Sequence, residues 1–304
     1  MITKTALALA APLLLNFAAI LPVAYADGTI SSCPTTITSG GTWTLTKDLT
    51  ATGNGTCIRV AASNVAINLN NHLMTGGEGA APTAVGDIGT QKKVFIGNGT
   101  LRGFHQAINM NSGSSDVTIS NVAVTDSSAS GIHVRGDHAV LTDVVASNSF
   151  IGIALDGSDN EIHHTTANNN VGFGIEFTRP SSSNNTISDS VANSNGTDGM
   201  RFEGDTNTVV NSQAVDNGNN GMHFAHGDNT ITDSNANDNA GDGIFIGRSG
   251  NTLTGNIANN NGKAGISVVC PSTLSGNTAN GNPGGGIVTS GSPACNRFGN
   301  TPAP

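Results

Sequence analysis

The chain has 304 residues, with 12 Lys and Arg against 21 Asp and Glu, a formal net charge of −9, 40 glycines and only 4% aromatic residues. An acidic chain without clustered Lys and Arg excludes nucleic acid and acidic lipid as partners, because those surfaces reward basic groups that displace counterions. An anionic polysaccharide would need a local basic patch or a bridging cation.

Lys4, the apolar run from Ala6 to Ala24 and the small-residue step Ala24-Tyr25-Ala26 predict an export signal over residues 1–26. Pro12, Asn16 and Pro22 interrupt the run and no basic stop-transfer cluster follows. The mature chain is therefore expected to be soluble after export, periplasmic or extracellular, with no membrane insertion once the signal is cleaved. Residues 27–304 read as one domain, with a capping coil over about 27–60 and a second capping region over about 287–304.

From residue 131 onward one step recurs: Gly, then Ile or Met, then any residue, then usually a large apolar one. It stands as Gly131-Ile132-His133-Val134, Gly152-Ile153-Ala154-Leu155, Gly174-Ile175-Glu176-Phe177 and Gly199-Met200-Arg201-Phe202. Gly221-Met222-His223-Phe224, Gly243-Ile244-Phe245-Ile246, Gly265-Ile266-Ser267-Val268 and a weaker Gly286-Ile287 follow, at spacings of 21, 22, 25, 22, 22, 22 and 21. A second step keeps pace, in which Asn160, Asn185, Asn207, Asn229 and Asn251 each precede an apolar residue by two places. An alanine follows each of these asparagines at seven places and another asparagine at ten. A period of about 22 with short alternations and no helical pattern predicts a coil of short strands. Stacked coils place equivalent residues about 4.8 Å apart. Asparagine columns can then bond amide to amide at the bends, glycines supply the turns, and Phe177, Phe202 and Phe224 should stack inside.

Upstream the pattern loosens through "VAINLNNHLMTG" (65–76), "VFIGNGTLRGFHQAI" (94–108) and "DVTISNVAVTDSSASGI" (116–132). With these residues the chain resembles right-handed parallel β-helix proteins of the pectin-lyase-like type. That type includes the carbohydrate-binding and sugar-hydrolase repeat group to which NosD-like periplasmic proteins belong. The resemblance spans about residues 35–300 and implies an all-β, single-stranded right-handed parallel β-helix of roughly ten coils. Its members include lyases, hydrolases, epimerases, binding proteins and adhesins, so fold does not choose among them. Cys33 and Cys57, and Cys270 and Cys295, are 24 and 25 residues apart. That separation is near one coil, so two disulfides should staple the first and last coils.

On each Gly-Ile strand the Ile and the residue two later point inward, so alternate residues face solvent. One outward column is then His133, Ala154, Glu176, Arg201, His223, Phe245 and Ser267, and its neighbour is Arg135, Asp156, Thr178, Glu203, Ala225, Gly247 and Val269. Glu176 with Arg201, and Arg135 with Asp156, are opposite-sign neighbours on adjacent rungs, as an unliganded surface also favours. Asp156 with Glu176, and Glu176 with Glu203, have Cα separations of roughly 8 Å, compatible with the carboxylate pairs of glycosidases. The catalytic candidates are therefore Asp156, Glu176, Arg201 and Glu203, with Arg201 as the group that binds or deprotonates a uronate. His133, Arg135, Arg179, His223 and Phe245 are the substrate-binding candidates, and the extended segment around Arg179-Pro180-Ser181 walls the face.

No metal ligand set is read. His163 and His164 diverge as neighbours on a strand, as do His223 and His226. Calcium on Asp205, Asp216, Asp228, Asp233, Asp238 and Asp242 is the one cofactor the bends could hold, although the nonapeptide calcium-roll motif is missing. The aspartate-proline-histidine-aspartate signature of C5 epimerases is also absent, and so is a polygalacturonase-like DD pair. The reading is an exported protein, expected to be a monomer, that binds or processes a polysaccharide or cell-surface glycan, by lyase or hydrolase chemistry if catalytic. A structural or adhesive solenoid is the alternative.

Overall fold

The computed structural model describes residues 27–77 and 81–302, and the export signal expected over 1–26 lies outside them. The described residues contain strands and no helix, so none is long and apolar enough to cross a membrane. Two long sheets of fifteen and twelve strands run side by side, and all their pairings are parallel. The chain makes about 11 turns of about 23 residues. The mean exceeds the 22-residue repeat because upstream rungs are longer. Ile58 pairs with Val85 at a separation of 27, and Ile108 with Ile132 at a separation of 24.

Each short strand follows from its alternation. In Ile175–Phe177, Met200–Phe202 and Met222–Phe224 the outer residues are buried and the middle one faces out. No coil could bury this apolar pair alone, but stacking makes the pairs continuous. The rings of Phe177 and Phe202 stack at 4.9 Å and 13°, and those of Phe202 and Phe224 at 4.5 Å and 3°. Ala167, Ala192, Ala214, Ala236 and Ala258 line a narrower part of the same core.

The asparagine columns carry the bends. The backbone N–H and Nδ2 of Asn170 both donate to Oδ1 of Asn195, and the pattern repeats through Asn217, Asn239, Asn261 and Asn282. A second column runs from Asn160 through Asn185, Asn207 and Asn229 to Asn251. Buried amides that would be costly unpaired are thus satisfied by the coil above.

Glycine and the polar bend residues share the turns, and glycine has a second part that the sequence pattern did not suggest. At the Gly-Ile column the glycine provides space, because a Cβ on Gly174 would lie 2.6 Å from the Gly199 carbonyl oxygen and 2.7 Å from Asn195 Nδ2. The left-handed backbone at the bends is adopted mostly by Asn, Asp and Ser, including Asn169, Ser194, Asp216, Asp238 and Asn260, and by a few glycines such as Gly255 and Gly281. Short polar side chains tolerate that region better than other non-glycine residues. Asp228 and Asp233 are left-handed bend residues as well, Asp205 accepts from the Ser183 hydroxyl, and Asp242 accepts from the Ala264 amide.

Both disulfides form as expected, Cys33 with Cys57 and Cys270 with Cys295, with Cα–Cα distances of 4.7 and 4.9 Å. Each closes about one coil at an end of the solenoid, and such bridges typically contribute about 2–4 kcal/mol. Reducing Cys270–Cys295 should speed amide exchange of residues 287–298 while leaving that of the central coils unchanged. Hydrogen exchange with peptide-level readout checks this, and uniform acceleration along the chain would contradict it.

Candidate active site

Strand register aligns His133, Ala154, Glu176, Arg201, His223, Phe245 and Ser267 on successive rungs of the twelve-stranded sheet. The second column continues the ladder one residue further, with the Asp156, Thr178, Glu203 and Ala225 amides bonded to the preceding rung. The charged groups do not form one continuous patch. Ala154 is buried and Asp156 is covered by its own outer-face partners, which divides them into two clusters.

The first cluster closes around Asp156, whose side chain is only 6% exposed. Arg179 Nε lies 3.2 Å from Asp156 Oδ2, His133 Nε2 3.4 Å and Arg135 Nε 3.8 Å, while the Thr178 hydroxyl donates to Oδ1. Burial works against the charged form of Asp156. The facing His133 imidazole, the Thr178 hydroxyl and Arg179 outweigh it and hold the carboxyl well below the usual carboxylate range. A carboxylate so engaged is a weak base. It anchors the extended segment by Arg179, beside an open groove of about 270 Å³ lined in part by Arg135, Asp137 and Ser181.

In the second cluster Arg201 does not pair with its rung neighbour Glu176. Its Nε donates to Glu203 Oε1 at 2.7 Å, two residues along the same face, and its guanidinium lies 5.0 Å from the centre of the Phe173 ring. Glu176 is left with no hydrogen bond among the described residues. Burial pushes its carboxyl up, the Arg201 charge opposes this, and Glu203, Asp156 and Asp198 reinforce it.

His223 has a partner that the sequence reading missed. Its Nδ1 is 3.1 Å from Asp198 Oδ2, and the Asp198 side chain is 1% exposed. Asp198 Oδ1 accepts from Asn219 Nδ2 at 2.7 Å and from the Asn220 amide at 2.9 Å. Burial opposes the Asp198 charge, but His223, the Asn220 amide and Arg201 prevail and keep its carboxyl below the usual range. An ionised carboxylate only accepts, so Nδ1 carries a proton and Nε2 is the nitrogen left for chemistry. Phe245 meets the ring edge-on at 5.0 Å.

Glu176, Arg201 and His223 thus occupy three consecutive rungs, about 4.8 Å apart. Together they offer a half-buried carboxyl whose charge is disfavoured by burial, a cation and an oriented imidazole. Among the described residues no three His, Cys, Asp or Glu side chains converge as a metal site.

Linkage gives a test of the Glu176 environment. Because its folded pKa is raised, its contribution to stability is present at low pH and is lost as pH rises through that value. Glu176→Gln should therefore unfold at a higher temperature than the wild type at neutral pH, and the gap should close as the buffer is acidified. Equal melting temperatures at neutral pH would count against burial as the dominant influence on this carboxyl.

The fold agrees with that of known proteins. The sequence matches the family described as right handed beta helix region over residues 106–247 and 182–301, more than half of the chain, and the protein belongs to that family. No curated protein matches it in sequence. In structure it is similar to the A-module of a mannuronan C-5 epimerase from Azotobacter vinelandii, with 18% identity, a TM-score of 0.74 and 86% of each chain covered. It is also similar to a periplasmic alginate epimerase, with 12% identity, a TM-score of 0.56 and coverage of 86% of this chain and 76% of that one. A third likeness is to the catalytic unit of an alpha-1,3-glucanase from Streptomyces thermodiastaticus, with 14% identity, a TM-score of 0.56 and coverage of 88% and 61%. At these identities the likeness concerns the fold.

Proposed function

We propose that this chain is an exported β-helix enzyme that acts on an acidic polysaccharide by proton abstraction beside a sugar carboxylate. The observation that carries the reading is the Asp198–His223 pair, set one rung from Arg201 and two from Glu176. Abstraction of a proton next to a carboxylate needs a base, a cation for the charge that develops, and an acid for the departing oxygen. His223 Nε2 is the base, the Arg201 guanidinium faces the sugar carboxylate, and Glu176 gives its proton to the glycosidic oxygen in an elimination. Two-carboxylate hydrolysis fits less well, because Asp156 is committed to Arg179 and Thr178, and Glu203 to Arg201. Polysaccharide-directed names among the structural relatives support the substrate class, and the two disulfides support an oxidising compartment.

The test is incubation of the mature protein with polyuronates, following reducing ends and the ultraviolet absorbance of unsaturated products. Elimination raises both signals. Reducing ends without absorbance would replace elimination by hydrolysis, binding without turnover would leave a carbohydrate-binding protein, and absence of binding would favour a structural solenoid.

A further inference from the structure

The fifteen-stranded sheet carries a group of side chains that this site does not use. Glu161 and His163 stand two apart on the strand Glu161–His163, and His163 pairs in register with Ser188 on the next rung. His163 Nδ1 is 2.7 Å from Ser188 Oγ, and Nε2 is 3.1 Å from Glu161 Oε2. Proton positions follow from valence. The Glu161 carboxylate can only accept, so Nε2 bears the hydrogen, Nδ1 is the acceptor, and the Ser188 hydroxyl donates to it. This is the sequence of hydroxyl, base and orienting carboxylate that activates a serine.

The rest of the column shows what is added here. Equivalent positions hold Ser120, Thr142, Val210, Thr232, Thr254 and Ser275. Short β-forming side chains are what an exposed strand favours, so a hydroxyl at 188 needs no further cause. His163 lies between Thr142 and Ser188 in this column, and among the described residues its Nδ1 meets the Ser188 hydroxyl. The neighbours Thr186, Thr208 and Val210 are short and uncharged, which leaves the face open to a large substrate.

We propose that Ser188, His163 and Glu161 form a second reactive centre that cleaves carboxylic esters presented on an open surface, such as an acyl ester on a saccharide hydroxyl. Ser188 Oγ bonds to the ester carbonyl carbon while its proton passes to His163 Nδ1. The carbon–oxygen bond to the alcohol then breaks and the alcohol leaves with that proton. Water, deprotonated by Nδ1, attacks the acyl-serine, releases the carboxylic acid and returns the proton to Oγ. Ser188 and His163 are the catalytic residues and Glu161 a positioning residue. The surrounding strand amides are committed to the ladder, so no backbone N–H is free for the oxyanion and turnover should be slow. The acylated or phosphonylated serine is therefore the direct readout.

The mature protein, without any polysaccharide, is treated with a fluorophosphonate probe and with p-nitrophenyl acetate, and adducts are mapped by peptide mass spectrometry. An adduct on Ser188 that vanishes in Ser188→Ala is expected, with labelling slowed on the order of a hundredfold in His163→Gln. Glu161→Gln should slow labelling as well, while Glu161→Asp should recover part of the rate, a rescue that a purely structural role would not produce. Absence of an adduct at Ser188, or labelling of His163→Gln at the wild-type rate, overturns the proposal. Since polyuronate is not involved, this outcome is independent of the elimination assay.

Discussion

His223→Ala is expected to lower turnover of a polyuronate by about 10²–10⁴-fold, the usual range for a positioned acid or base. The side chain is half-buried against Phe245 on the outer face, so its removal empties no core, but it deprives the buried Asp198 carboxylate of a partner and should lower the melting temperature without unfolding the coil. Asp198→Asn is the sharper partner experiment. An asparagine can present its amide N–H to Nδ1, which would shift the ring proton to Nε2 and block the nitrogen that must accept the substrate proton. Its turnover should fall about as far as that of His223→Ala, with binding of the polymer retained. If both variants turn over at the wild-type rate, the base lies elsewhere and the pair is only a strut between rungs.

Phe202→Ala should produce the largest loss of stability available from one side chain. Phe202 is fully buried between Phe177 and Phe224, with ring centres 4.9 and 4.5 Å away. Truncation of a buried phenylalanine costs about 3–5 kcal/mol, and the stacked neighbours cannot close the gap without bending two rungs. Denaturant unfolding should show the loss, and Phe202→Leu should recover much of it. A change below about 1 kcal/mol for the alanine variant would mean that the central coils repack freely, contrary to a close-packed core.

The fold was legible because a stacked coil imposes one size and polarity at each position of the period. Gly174, Phe177, Asn185, Ala192 and Asn195 each announce a column by recurrence. The site was legible only in part, because chemistry here breaks the repeat. Glu176, Arg201 and His223 stand out by departing from their column. Asp198 does not, since aspartates and asparagines fill the bends, and only its place in one column with Asn220 and Asp242, just before Gly199, could have pointed to it. The Glu176–Arg201 pairing failed for a different reason. Rung adjacency brings Cβ atoms together, whereas a long guanidinium chooses its partner by reach, and Glu203 with the Phe173 ring lay within it.

The asparagine columns have a chemical consequence for how long the protein lasts. Asn195, Asn217 and Asn261 are each followed by glycine, the step at which a chain ages fastest by attack of the next backbone nitrogen on the side-chain amide. In the coil those nitrogens are occupied. Gly196 N–H is bonded to the Asn170 carbonyl, Gly218 to Asn195 and Gly262 to Asn239, at 2.7 to 2.8 Å. The amides under threat are themselves buried and held from the neighbouring rung. The contacts that shape the bends thereby shield these three steps against spontaneous deamidation, so their chemical lifetime is set by how seldom a coil opens.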